Sequence, residues 1–85
     1  MKDIYDLYDL IGKNMKKLRK EYADKSLDKM AEDIDMSRGY LSRIESPKIK
    51  TGVSIDTLFA MSQKYNFDIR LFFDGYEDMI KDEDN

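Results

Sequence analysis

Eighty-five residues suffice for one small core and exclude most enzyme folds. With 41% hydrophobic and 39% charged residues the chain is expected to fold, and with one Pro and four Gly it lacks the turn chemistry of a small β-barrel or sandwich, so helices are favoured. The absence of Cys and His removes disulfides, thiolate or imidazole zinc sites and Ser/His or Cys/His nucleophile pairs, so no metal or cofactor is expected.

Met1 to Gly12 carry three Asp and one Lys, unlike the basic start of a signal peptide. No apolar run approaches the roughly 20 residues that span a bilayer, so a cytoplasmic protein without membrane contact is expected. The formal charge of −3 is unevenly spread: residues 13–50 hold 11 basic and 7 acidic side chains, residues 77–85 one basic and five acidic. Positive potential acts over about a Debye length, roughly 8 Å in physiological salt, so an acidic tail leaves a basic middle free to meet a polyanion.

In chain order, Ile4, Leu7, Ile11, Met15, Leu18 and Tyr22 step by three or four and predict one helical stripe. Gly12 lies inside it at a cost of about 1 kcal/mol against Ala, so a short leading helix joined to a second one over Lys13–Tyr22 is an equal reading. Tyr5 and Tyr8 widen the stripe, either as extra core cover or as a surface for something else. Ser26 is an N-cap with Asp28 in the first turn and Leu27, Met30, Ala31 and Ile34 on one face, giving a second helix of about eight residues. Ser37 caps a third over Arg38–Glu45, and two short helices joined by so tight a turn form a helix-turn-helix unit. The segment 46–53, with the sole Pro, reads as a loop exposing Lys48 and Lys50. Ser54 caps a fourth helix that Asn66 stops, and Asp68 caps a fifth short one through Phe73 that Gly75 ends. Tyr76, Met79 and Ile80 prolong a helix into the acidic end.

The run from Ser26 to Glu45 resembles the helix-turn-helix of the Xre family, also known as the Cro and phage-repressor family. Ala31 matches its small helix-2 residue, Met36-Ser37 its turn exit, and Leu41-Ser42-Arg43-Ile44-Glu45 its Leu-Ser-x-Ile-Glu ending. The likeness extends over roughly residues 10–73. It departs at Leu27, where Gln is usual, at Asp35, where Gly is usual, and at Ser46-Pro47, where Asn-Gly is usual. The Ser26-Leu27 pair, Tyr40-Leu41-Ser42 in the third helix and a longer loop after Glu45 together look more like the sporulation and biofilm-type repressors of Gram-positive bacteria. The resemblance implies an all-α, five-helix lambda-repressor-like DNA-binding domain over residues 10–75, with a helical N-terminal extension at 1–9 and an acidic tail at 76–85. It also implies a semi-buried structural ion pair between Arg19 and Glu45.

A helix about 10–12 Å across fits the DNA major groove if its outward face carries donors. At 100° per residue the third helix turns Tyr40, Leu41 and Ile44 inward and Arg38, Gly39, Ser42 and Arg43 outward. Arg38 and Arg43 are the base-reading candidates, since an Arg fork pairs with guanine O6 and N7; each serves equally as a phosphate clamp. Gly39 allows a close ligand approach or is simply tolerated, and Tyr40 meets either the sugar-phosphate backbone or the core. Ser42 is a donor to base or phosphate. Ser26, Leu27 and Ser37 stand at helix starts that attract phosphate, and Ser46, Lys48 and Lys50 prolong that line.

The expected function is a double-stranded-DNA-binding transcriptional regulator, most simply a repressor acting as a homodimer on a palindromic operator, because one short helix reads only a few base pairs. The expected dimer surfaces are Phe67, Ile69, Phe72, Phe73, Tyr76, Met79 and Ile80, or Ile4, Tyr5, Leu7 and Tyr8, against packing within the monomer. The alternative is an antitoxin or restriction-modification controller that also binds a protein partner. An enzyme is not expected, since no paired carboxylates or phosphate loop emerge.

Overall fold

A computed structural model describes residues 3–49 and 51–84, among which there are helices and turns but no strand. The helices are α1 (Ile4–Lys17), α2 (Leu27–Asp33), α3 (Arg38–Glu45), α4 (Ile55–Tyr65) and α5 (Tyr76–Asp84). A π-helical turn at Leu18–Tyr22 continues α1, and a 3-10 turn at Ile69–Phe73 precedes α5.

The starts of α1 to α4 and of the 3-10 turn are each fixed by a side chain that satisfies otherwise orphaned N–H groups. Asp3 accepts from the Tyr5 and Asp6 N–H groups while the Asp6 carboxylate accepts from the Asp3 N–H, a reciprocal capping box. Ser26, Ser37 and Ser54 accept from the N–H groups of Lys29, Tyr40 and Thr57. Asp68 accepts from the Arg70 N–H at the head of the 3-10 turn. Left-handed residues mark three of the ends: Asn66 at φ +56° stops α4, Asp35 at φ +53° makes the turn between α2 and α3, and Gly75 at φ +93° separates the 3-10 turn from α5. Asp35 takes up the backbone conformation for which glycine is the usual choice, as Asp and Asn do more readily than bulkier residues.

The core is formed by Ile11, Met15 and Leu18 from the first helical segment, Met30, Ala31 and Ile34 from α2 and its exit, Leu41 and Ile44 from α3, Leu58 and Met61 from α4, and Phe72. Gly12 does not break α1. A Cβ there would stand 2.1 Å from the Ile44 carbonyl oxygen, so the glycine is what allows the backbones of α1 and α3 to touch. The boundary expected between residues 9 and 10 falls inside this continuous helix.

Two sequence expectations are corrected. Tyr22, placed in the buried stripe, is 56% exposed. The π-helical turn, with the Ala23 N–H bonded to the Leu18 carbonyl at 2.9 Å, shifts the register by a residue, so that Leu18 and Arg19 turn inward and Tyr22 swings out. Its ring meets Phe67 edge-on at 5.5 Å, and Phe67 in turn lies 5.4 Å from Phe72. Phe72, proposed for a dimer surface, is fully buried, and it is Leu71 that faces outward. Asn14 locks this corner, donating to the carbonyls of Phe72 at 2.7 Å and Asp74 at 2.9 Å. Phe67, Ile69, Phe73 and Leu7 also pack partly against the core. Tyr5 and Tyr8 meet edge-on at 5.8 Å. No helix among the described residues is long and apolar enough to cross a membrane.

Candidate nucleic-acid interface

The third helix is anchored on one side and open on the other. Leu41 and Ile44 are buried, whereas Ser37, Arg38, Gly39 and Arg43 are exposed and Ser42 is half-exposed. The caps on α2 and α3 use the hydroxyl oxygens of Ser26 and Ser37 as acceptors, which leaves their O–H groups as donors. Leu27 is half-buried and packs on the core.

Both arginines are exposed, and Arg43 lies back toward the start of α3. Long side chains on a helix lean toward its N-terminus, and the Arg43 Nη1 lies 3.6 Å from where a Gly39 Cβ would stand. Arg43 therefore reaches back over the bare Gly39 surface to the turn that begins with Arg38. That contact distance is ordinary, so crowding within the chain does not require glycine at 39. Arg38 is held by an ion pair from its Nε to the Asp28 carboxylate on the first turn of α2.

Tyr40 turns to the interior side. Its hydroxyl accepts from the Ser54 N–H at 3.2 Å and shares a 3.4 Å hydrogen bond with Thr57, fastening α3 to the capped start of α4. A second fastening joins α2 to the end of α4, where the Tyr65 hydroxyl donates to Asp33 at 2.8 Å. Burial and this carboxylate raise the Tyr65 pKa, while the hydrogen bond from Tyr65 and the charge of Lys29 lower that of Asp33.

Arg19 and Glu45 form a bidentate pair, Nε to Oε2 and Nη2 to Oε1, both at 2.9 Å, with side chains 8% and 7% exposed. The remaining Arg19 Nη1 donates to the Lys25 carbonyl at 2.9 Å. The Glu45 hydrogen bond raises the Arg19 pKa against the opposing effect of burial. This ties the C-terminal end of α3 to the end of the first helical segment.

Beyond that end, Ser46 is half-buried and Lys48 exposed; Lys50 lies outside the described residues. A groove of about 580 Å³ opens here, lined by Lys13, Lys16, Lys17 and Lys20 of the first segment, by Ile44, Ser46 and Pro47, and by the carboxylates of Asp9, Glu21 and Glu45. These lysines are absent from the sequence-based candidates. Their spacing of three, one and three marks a single helix face, but only the fold sets that face beside the end of α3.

A model of the HTH_3 helix-turn-helix family matches residues 15–72. Neither the comparison with curated proteins nor that with solved structures gives a match. With its capped α2–turn–α3 unit inside an all-helical, lambda-repressor-like fold, the chain belongs to the HTH_3 family of DNA-binding transcriptional regulators, the Xre and phage-repressor type.

Proposed function

We propose that this protein is a sequence-specific repressor that binds double-stranded DNA as a homodimer, placing one α3 in the major groove of each half of a palindromic operator. The observation that carries this reading is the two-sidedness of α3: Leu41 and Ile44 are sunk in the core while Arg38 and Arg43 are exposed on the other side, Arg43 reaching back over Gly39. An Arg fork matches guanine O6 and N7, at about 1–3 kcal/mol of discrimination for each good pair. Ser42 adds a donor on the same face. Ser26, Leu27, Ser37, Ser46 and Lys48, with the α1 lysines beside the groove, supply phosphate contacts that hold register without reading sequence. Lys50 continues that line in the sequence. Tyr40 contributes by setting α3 against α4.

A short helix reads few base pairs, so useful specificity requires two copies whose recognition helices are about 34–36 Å apart. The test is selection of bound duplexes from a random pool, followed by measurement of the mass of the complex. A palindromic consensus with two chains per duplex supports the reading; no enrichment over many rounds overturns it.

A second reading, in which the same DNA-binding unit also captures a protein, is favoured by Ile55 and Phe59. They lie one turn apart on the outer side of α4, 64% and 57% exposed. It is tested by co-expressing the gene with its immediate neighbours and sizing the product.

A further inference from the structure

The ion pair between Asp28 and Arg38 links the first turns of α2 and α3 and involves a base-reading candidate. The two side chains are 75% and 59% exposed. An ion pair so open to water contributes little to folding, because solvent screening and side-chain ordering offset the attraction. Stability therefore does not account for it. Its effect on DNA affinity is adverse: a carboxylate beside the presented face of α3 repels phosphates of any sequence.

Recognition does account for it. Arg38 is the first residue of α3, exposed, with many rotamers open to it. The Ser37 hydroxyl is turned to the Tyr40 N–H, and Gly39 has no side chain, so neither sequence neighbour holds the fork. An unsteered guanidinium near DNA goes to the nearest phosphate, the strongest electrostatic partner. The Asp28 carboxylate stands closest to the Nε of the fork, an approach that suits an outer Nη edge turned to a base. Leu27, packed on the core, offers no polar group at this corner.

We propose that Asp28 is a positioning residue for DNA recognition: it holds the Arg38 guanidinium in the orientation that reads a base and keeps it off the phosphate backbone, giving up general affinity for discrimination. This rests on the DNA-binding reading above. It predicts two opposite changes from one substitution, which no purely structural or purely repulsive role of Asp28 produces.

The experiment uses the full chain, wild type and the variants Asp28→Ala, Asp28→Glu, Arg38→Ala and Asp28→Ala with Arg38→Ala. Each is titrated at one fixed salt concentration against the selected duplex, against its single-base-pair substitutions, and against random duplex. Asp28→Ala is expected to bind random duplex severalfold more tightly and to lose about tenfold of preference at a single base pair of each half-site. Arg38→Ala loses preference at that same base pair, and the double variant loses no more there than Arg38→Ala alone. Asp28→Glu restores part of the preference. Thermal melting confirms that all four variants fold. Equal tightening on selected and random duplex with every base preference intact overturns the proposal and leaves Asp28 a plain surface charge. Failure of the wild type to bind any duplex overturns the DNA-binding reading, and this proposal with it.

Discussion

The two ends of α3 each carry an arginine–carboxylate pair, and the pairs differ in almost every physical respect. At the C-terminal end Arg19 and Glu45 are bidentate, over nine-tenths buried, and joined by a third bond to the Lys25 carbonyl. Close by, α1 and α3 touch at backbone level through Gly12. At the N-terminal end Arg38 meets Asp28 in open solvent, and the neighbouring Arg43 lies over bare glycine. A charge inside must be paired, or it costs several kcal/mol; a charge outside loses little by staying alone. The difference teaches a division of labour: one end of α3 is welded to the body, so that the other end has a fixed platform from which exchangeable side chains meet a ligand.

The sharpest way to break this contrast is Glu45→Ala. It strands a buried guanidinium and is expected to cost about 3–5 kcal/mol, read by urea or thermal unfolding; replacing Arg19 and Glu45 together by Met and Leu should recover much of the loss. A cost below about 1 kcal/mol would make the two ends alike. Gly12→Ala comes next. The methyl gains about 1 kcal/mol of helix propensity, yet it must push the Ile44 carbonyl away, and the expected net loss is about 1–3 kcal/mol, visible in the melting midpoint.

At the open end the expected effects fall on binding and leave stability alone. Arg43→Ala should weaken the selected duplex by about 1–3 kcal/mol relative to random DNA. Lys48→Ala should weaken all duplexes alike and flatten the dependence of affinity on salt. Both are read by fluorescence anisotropy at several salt concentrations, and equal losses from Arg43→Ala on selected and random DNA would remove it from the reading face.

The smallest expected effect concerns the half-buried Asp33. Its pKa is lowered, first by the Tyr65 hydrogen bond and then by Lys29. A carboxyl lowered by folding contributes stability that is fully present above its unfolded value, about 3.9, and is lost as pH falls through the folded value. Asp33→Asn should therefore lower the melting midpoint at pH 7, and the difference should shrink below about pH 4. A gap that persists undiminished at pH 2.5 would mean that the charge of Asp33 is not what the fold uses.

Much of this protein is legible in its sequence because the signals are local. The Ser26, Ser37, Ser54 and Asp68 caps, the left-handed Asn66 and the stripe of core residues depend on side chains a few positions apart. The motif ending at Glu45 pointed to its pairing with Arg19. Less visible were the features that depend on which element comes to lie against which. Gly12 reads as a weak spot in a helix until Ile44 is set against it. The π-helical turn that exposes Tyr22 breaks the period on which that residue was placed inside. Phe72 sits in an apolar cluster whose members the linear pattern cannot rank, and packing alone sinks it while leaving Leu71 outside.

The same split runs through the site. The composition of α3, two arginines and a serine opposite two aliphatic residues, follows from helical periodicity alone. That Asp28 reaches Arg38, that Tyr40 turns its hydroxyl to Ser54, and that four lysines of α1 and its π-helical continuation line a groove at the far end of α3 all depend on the packing of separate helices. The amino-acid order by itself determined where helices begin, end and turn an apolar side to the core, because those preferences act within one or two turns of chain. Only the tertiary structure decided which charges are welded and which are free, because burial and partnership depend on residues distant in sequence.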